Sequence, residues 1–131
     1  MTRAVDTNVV VRFLVGDGSD QALQARAVFE KGVCTIPVSV MLETEWILRS
    51  VFEVPQPTIA EALARLLSMK NAKVMDRPAV DQAMKAYRNG LDFADALHVA
   101  LSDDCKEFVT FDTKLRKKIG QHWPGKEGVA P

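Results

Sequence analysis

The sequence contains little cysteine, and what it has forms no recognisable framework. Only two cysteines, Cys34 and Cys105, occur in 131 residues. They lie far apart, with neither CxxC spacing nor a histidine beside them, so the pattern indicates neither a disulfide scaffold nor a zinc site. We predict two reduced, buried thiols.

The chain also has no excess of charge of either sign and no long apolar run. Acidic and basic residues number 17 each, which gives a net charge of zero. Because no overall basic field is present, a polyanion would have to be held by local basic patches or by metal ions. No apolar stretch approaches the roughly 18 residues of a membrane span, and no signal-peptide pattern opens the chain. These absences predict a cytoplasmic protein without a membrane segment.

Length and patterning predict one domain in which strands alternate with helices. Ser19 or Asp20 is the candidate cap of one helical pattern, and Thr58 and Glu61 form an S/T-x-x-E capping box. Asp76 is the candidate cap of a helix that stops at Gly90.

Short strands are predicted at residues 33–40, 72–75 and 107–112, after a first strand that ends near Asp6. Strands that alternate with helices need crossover connections, which predicts an α/β fold with a small, mostly parallel sheet. The tail from about residue 120 is expected to be irregular.

Aspartates occur where two of the predicted strands end. Asp6 follows an apolar run, and an ionised carboxylate there is costly unless it is paired, hydrogen-bonded or bound to a cation. Asp6 could equally be the N-cap of the helix that follows. Asp112 ends the last clear strand. Because ligands bind at the carboxyl ends of parallel strands, we expect Asp6 and Asp112 at one edge of the sheet.

Two further acids can reach that edge. Glu43 and Glu45 lie about 200° apart around a helix, so they cannot both face inward. We favour Glu43, which is nearer the preceding strand, and interpret Glu45 as a solvent-facing partner of Arg49 at i,i+4. In "GLDFADALHVAL", Asp92 fits an N-cap, whereas Asp95 among alanines is poorly explained as a surface residue.

Other chemistry-bearing side chains are interpreted structurally. His98 lies three residues after Asp95 in an apolar context, which favours a core imidazole, or one that supports the acids, over a metal ligand. Trp46 is expected in the core and His122 in an exposed tail.

Four motifs in fixed order resemble one known family. Asp-Thr-Asn after the first strand, a Glu within "LETEWILRS", the block "GLDFADALHVAL" and a closing "VTFD" resemble the PIN domain, in particular the VapC-type ribonuclease toxins of bacterial toxin–antitoxin pairs. The resemblance spans residues 5–115. It implies a three-layer α/β/α sandwich and a single domain over residues 1–131. It implies catalytic, metal-binding acids at Asp6, Glu43, Asp95 and Asp112, with Asn8, Asp92 and Thr110 in supporting roles.

The resemblance also implies partners. These are an RNA substrate, a small antitoxin protein and a second copy of the chain in a homodimer. The apolar residues Phe13, Leu14, Trp46 and Phe52 are individually expected in the core, and any that are exposed could serve either protein partner.

The chemistry of four carboxylates supports a metal-dependent reaction. Such a cluster repels itself unless protons or a cation balance it, and an oxygen-only ligand set suits Mg²⁺ or Mn²⁺. A bound divalent ion can activate water and stabilise the leaving oxygen of a phosphodiester. The chain is therefore expected to be an endoribonuclease. Its candidate phosphate contacts are basic residues that could equally be solvated charges: Arg12, Arg49, Lys114 and Arg116.

Two other function classes stay open. A magnesium-dependent phosphate-monoester hydrolase also begins with an Asp after the first strand, but it usually has a second Asp two residues later, where this chain has Asn8. A non-catalytic module of the same family that binds RNA or a partner is the other alternative. The intact acidic set disfavours it.

Overall fold

The computed structural model describes residues 2–131, which divide into two compact units. We call residues up to Met75 the N-terminal unit and residues from Asp76 the C-terminal unit. No helix in residues 2–131 combines the length and the apolar character needed to cross a membrane.

The N-terminal unit is a three-stranded sheet with four helices. Its strands lie in the order β1-β2-β3 and pair in parallel, with Thr2 opposite Val33 and Cys34 opposite Ala72. Parallel neighbours require the helical crossovers that the sequence predicts. The elements are β1 (Thr2–Ala4), α1 (Thr7–Val15), α2 (Asp20–Glu30), β2 (Val33–Ile36), α3 (Val38–Ser50), α4 (Gln56–Ser68) and β3 (Ala72–Val74).

The core of this unit is aliphatic, with one aromatic contact. In α4, Ile59, Leu63 and Leu66 are fully buried at helical spacing. Phe13 of α1 packs on Phe29 of α2 with ring centroids 4.4 Å apart. Each such side chain stabilises the fold by about 1.5–3 kcal/mol when buried.

The C-terminal unit contains three helices and one parallel strand pair. β4 pairs with β5, so that Glu107 lies opposite Glu127. Helices α5 and α6 pack together, and Tyr87 meets Phe93 edge-on at 5.1 Å between ring centroids. The elements are α5 (Arg77–Arg88), α6 (Phe93–Ala100), β4 (Glu107–Val109), α7 (Thr113–His122) and β5 (Glu127–Val129).

The predicted α/β class is confirmed, because every pairing among the described strands is parallel and helices separate them along the chain. One predicted capping box is wrong, and one predicted cap has the N-cap position without a capping bond. Helix α4 begins at Gln56 after Pro55, so Thr58 lies inside its first turn and caps nothing. Asp76 has the N-cap position of α5. Its backbone is left-handed (φ 51°), and its side chain makes no capping bond.

The end of the chain also differs from the prediction. Strand β4 ends at Val109 rather than at Asp112, and the tail expected to be irregular contains β5. The ammonium group of Lys126 donates to the carbonyl oxygens of Ser102 and Cys105, and thereby fixes the segment after α6. Cys34 is buried as predicted, but Cys105 lies in this exposed segment.

Two glycines of the C-terminal unit provide a test of this packing. A Cβ at Gly128 would lie 2.6 Å from the Cα of Arg116 on α7, whereas a Cβ at Gly120 would meet nothing within 4 Å. We expect Gly128→Ala to lower the free energy of unfolding by about 1–3 kcal/mol through overpacking. Gly120→Ala should raise it by about 0.5–1 kcal/mol, because alanine loses less backbone entropy in a helix.

Urea unfolding followed by circular dichroism measures both changes. Equal stability of the Gly128→Ala variant and the parent would contradict the close approach of β5 to α7.

Candidate functional site

The first candidate acid, Asp6, begins α1. Its backbone is extended (φ −84°, ψ 164°), and its Oδ1 accepts the N–H of Thr7 at 2.7 Å. The capping interpretation is therefore confirmed. The side chain is exposed, as is that of Asn8 in the first turn. A carboxylate has two oxygens, so a cap made through Oδ1 leaves Oδ2 for another partner.

Helix α3 carries the second candidate, Glu43, on its exposed side. Glu45 accepts the Nε of Arg49 at 2.9 Å and its Nη2 at 3.3 Å, which confirms the predicted pair. The predicted solvent-facing position of Glu45 is wrong, because only 2% of the residue is exposed. It lies in one i, i+4, i+7 stripe with the buried Met41 and Leu48.

Trp46 follows Glu45 and therefore points away from that stripe. It is 53% exposed, so its predicted place in the core is wrong. A 3.6-residue period gives each helix only one buried stripe, and on α3 a glutamate paired with arginine occupies a position in it.

The C-terminal unit contains two aspartates that cap helices. Asp92 accepts the N–H of Asp95 through Oδ2 at 3.1 Å, as predicted for the cap of α6. Asp112 begins α7, and its Oδ1 accepts the N–H of Leu115 at 3.1 Å. The N–H of Asp112 donates in turn to Oγ1 of Thr110 at 3.1 Å, so this residue, predicted to support the acids, contacts Asp112 directly.

Asp95 is the half-buried acid of this unit and the one whose charge is most disfavoured. Burial raises the pKa of its carboxyl, and the negative charges of Asp92 and Asp112 raise that pKa further, while His98 opposes the rise. The C-terminal unit therefore brings Asp92, Asp95 and Asp112 within electrostatic reach of one another. Like charges that raise a proton affinity also favour a bound cation.

The two histidines differ from their predicted places. His98 is exposed, because the buried stripe of α6 runs through Phe93, Ala96, Leu97 and Ala100. His122 is half-buried rather than exposed, and its ring lies edge-on to Trp123 at 6.0 Å.

Three of the four candidate phosphate contacts have partners within the protein. Arg12 lies 3.8 Å from Asp17, and Arg49 is paired with Glu45. Arg116 donates from Nη1 to the carbonyl of Thr110 at 2.7 Å and from Nη2 to Oγ1 of Thr113 at 3.3 Å. Lys114, by contrast, is exposed two residues after Asp112.

The chemistry of the candidate donors fits a hard divalent cation. The donors are carboxylate oxygens, and Asp95 has the raised proton affinity that cation binding would offset. As the side chains stand in residues 2–131, no three His, Cys, Asp or Glu groups are arranged to hold a metal ion.

Comparison with known proteins gives one family match. The model of the PIN domain matches residues 3–120, which is most of the chain. No curated protein matches the sequence significantly.

The unfavourable charge on Asp95 predicts a stability change that can be measured. Because its folded-state pKa is raised, the native state binds more protons than the unfolded state in the window just above about pH 3.9, and stability falls as pH rises through it. In EDTA at neutral pH we expect Asp95→Asn to be as stable as the parent or more stable, by about 0.5 kcal/mol or less. The difference should vanish toward about pH 4.

Thermal melts across this pH range test the expectation, with Asp103→Asn as an exposed acidic control on the same unit. A parent that becomes more stable relative to Asp95→Asn as pH rises would contradict it.

Proposed function

The chain belongs to the PIN-domain family, and from that premise we propose that it is an endoribonuclease that uses Mg²⁺ or Mn²⁺. The family match supports a nuclease-type fold, and PIN domains are generally metal-dependent nucleases. The proposal adds the ion, the acids that bind it and the biological role.

The observation that carries the proposal is the grouping of charge around Asp95. Burial raises the pKa of its carboxyl, the charges of Asp92 and Asp112 raise it further, and a bound divalent cation would offset this repulsion. We propose that the acids that bind the metal are Asp6, Glu43, Asp95 and Asp112. A divalent ion held there would supply positive charge at the phosphodiester and lower the pKa of a water molecule.

Residues of the chain hold the acids in position, and one of the acids accepts a proton. Capping bonds fix one oxygen of Asp6 and one of Asp112, and Thr110 holds the backbone of Asp112. Asp92 positions Asp95 through its N–H. Under this proposal, one carboxylate oxygen accepts the proton of the attacking water, while Lys114 contacts a neighbouring phosphate.

We further propose that the ribonuclease is the cytoplasmic toxin of a toxin–antitoxin pair. Exposed apolar side chains at the end of α3 and just beyond it support a protein partner, since Trp46, Val51 and Phe52 are all exposed. Phe13 and Leu14, also considered for this surface, are half-buried. The partner is a small antitoxin, and a second copy of the chain completes a homodimer.

Cleavage of a mixed RNA pool tests the enzymatic proposal. We expect cleavage in Mg²⁺ or Mn²⁺, none in EDTA, and a loss of about 100-fold or more in Asp95→Asn, because removal of a group that acts in the transition state costs several kcal/mol. Asp103→Asn should cut like the parent.

Undiminished cleavage in EDTA would contradict the metal requirement. Parallel reactions use a phosphate-monoester substrate, and hydrolysis of that substrate without RNA cleavage would favour the phosphate-monoester hydrolase. RNA binding without cleavage in any metal would favour the non-catalytic module.

Growth of bacteria tests the toxin proposal. Induction of the parent should arrest growth, induction of Asp112→Asn should not, and co-expression of the adjacent small gene should relieve the arrest. Normal growth with abundant folded parent protein would contradict a toxin role.

A further inference from the structure

The turn between β4 and α7 is fixed on both sides of Phe111. The N–H of Thr110 donates to the carbonyl of Val129 at 3.0 Å, and the carbonyl of Thr110 accepts Nη1 of Arg116 at 2.7 Å. On the other side, Asp112 binds Oγ1 of Thr110 and caps α7. The backbone on both sides of Phe111 is therefore held in place.

The ring of Phe111 nevertheless lies in solvent. It is 86% exposed, the largest exposed fraction among the large apolar side chains of residues 2–131, and Val109 beside it is 60% exposed. A single exposed apolar residue needs no explanation by itself. A ring on a fixed backbone differs, because the entropic cost of ordering that segment for a ligand has already been met in folding, and only the side-chain torsions remain to be ordered.

The surroundings of the ring favour one class of occupant. Phe111 directly precedes Asp112, whose charge acts on Asp95, and the exposed Lys114 follows three residues later. An extended apolar protein interface would be depleted of such charges. A nucleobase flanked by phosphates suits the ring and Lys114, since its face stacks on an aromatic ring while a cation contacts a phosphate, and the metal proposed at Asp112 would offset the repulsion of that carboxylate.

We propose that Phe111 is a stacking platform for an unpaired base of single-stranded RNA, next to the phosphate that the acids would cleave. This inference rests on the proposed ribonuclease function and deepens it. Its consequence is a preference for single strands, because a base inside a duplex cannot present its face to the ring. The sequence predicts a strand through "VTFD". In a strand, successive side chains point to opposite faces of the sheet, so that prediction gives no sign that the ring of Phe111 is exposed in a turn.

Binding of a short single-stranded RNA that carries 2-aminopurine tests the platform. The measurement uses the full chain in Ca²⁺, an oxygen-seeking ion that can hold RNA phosphates, and follows quenching of the base fluorescence. We expect Phe111→Ala and Phe111→Leu to weaken binding about tenfold or more, and Phe111→Trp to bind within about twofold of the parent. Leu101→Ala, at another exposed apolar position of the same unit, should bind like the parent.

The outcomes separate this inference from the proposed function. If binding depends on Phe111 but no variant or parent cuts RNA, the platform stands and the nuclease proposal fails. If the parent cuts RNA and Phe111→Ala binds and cuts as well as the parent, the platform is overturned and the nuclease proposal stands.

Three further results would also overturn the platform. These are no binding of single-stranded RNA by the parent, parental binding by Phe111→Leu, and a change of oligomeric state in Phe111→Ala on gel filtration. The last would make the ring a contact between proteins.

Discussion

Capping of helix N-termini by aspartate is the interaction on which the candidate site depends. Asp6, Asp92 and Asp112 are the N-cap residues of α1, α6 and α7, and each accepts a backbone N–H through one carboxylate oxygen. The positive end of a helix stabilises the ionised carboxylate, and the capping bond fixes its orientation. A structural cap and a functional acid are therefore not competing interpretations of these residues. The same bond that starts the helix presents the second oxygen.

Asp95 departs from this pattern, which is why it is informative. It is half-buried in the first turn of α6, where the helix terminus favours its charge but burial and two neighbouring aspartates disfavour it. A neutral residue of the same shape at this position would avoid that unfavourable charge. A bound cation would balance the repulsion among Asp92, Asp95 and Asp112. The same charges therefore affect both the stability of the C-terminal unit and the chemistry proposed for it.

The sequence predicted those features of the fold that depend on interactions between residues close together in the chain. The caps Ser19 and Asp92 follow from local side-chain bonds, and they are confirmed. The parallel pairing follows from crossover geometry, and it is confirmed too. The burial of Glu45 could not be predicted, because it depends on which stripe of α3 packs and on Arg49 covering the edge.

Tertiary contacts also decided the features at the end of the chain. β5 forms only by pairing with β4, and Gly128 allows its approach to α7. The four-acid set of Asp6, Glu43, Asp95 and Asp112 stays a prediction, because a shared ion is not a local feature that caps or periodicity can fix.

Iron-mediated cleavage of the protein backbone tests that central claim most directly. Fe²⁺ in place of Mg²⁺, with ascorbate and peroxide, generates hydroxyl radicals that cut the chain only near the bound ion. The account predicts cuts close to Asp6 and Glu43 as well as close to Asp95 and Asp112, all suppressed by excess Mg²⁺. Cuts confined to the C-terminal unit, or none that Mg²⁺ suppresses, would contradict a metal site shared by the four carboxylates.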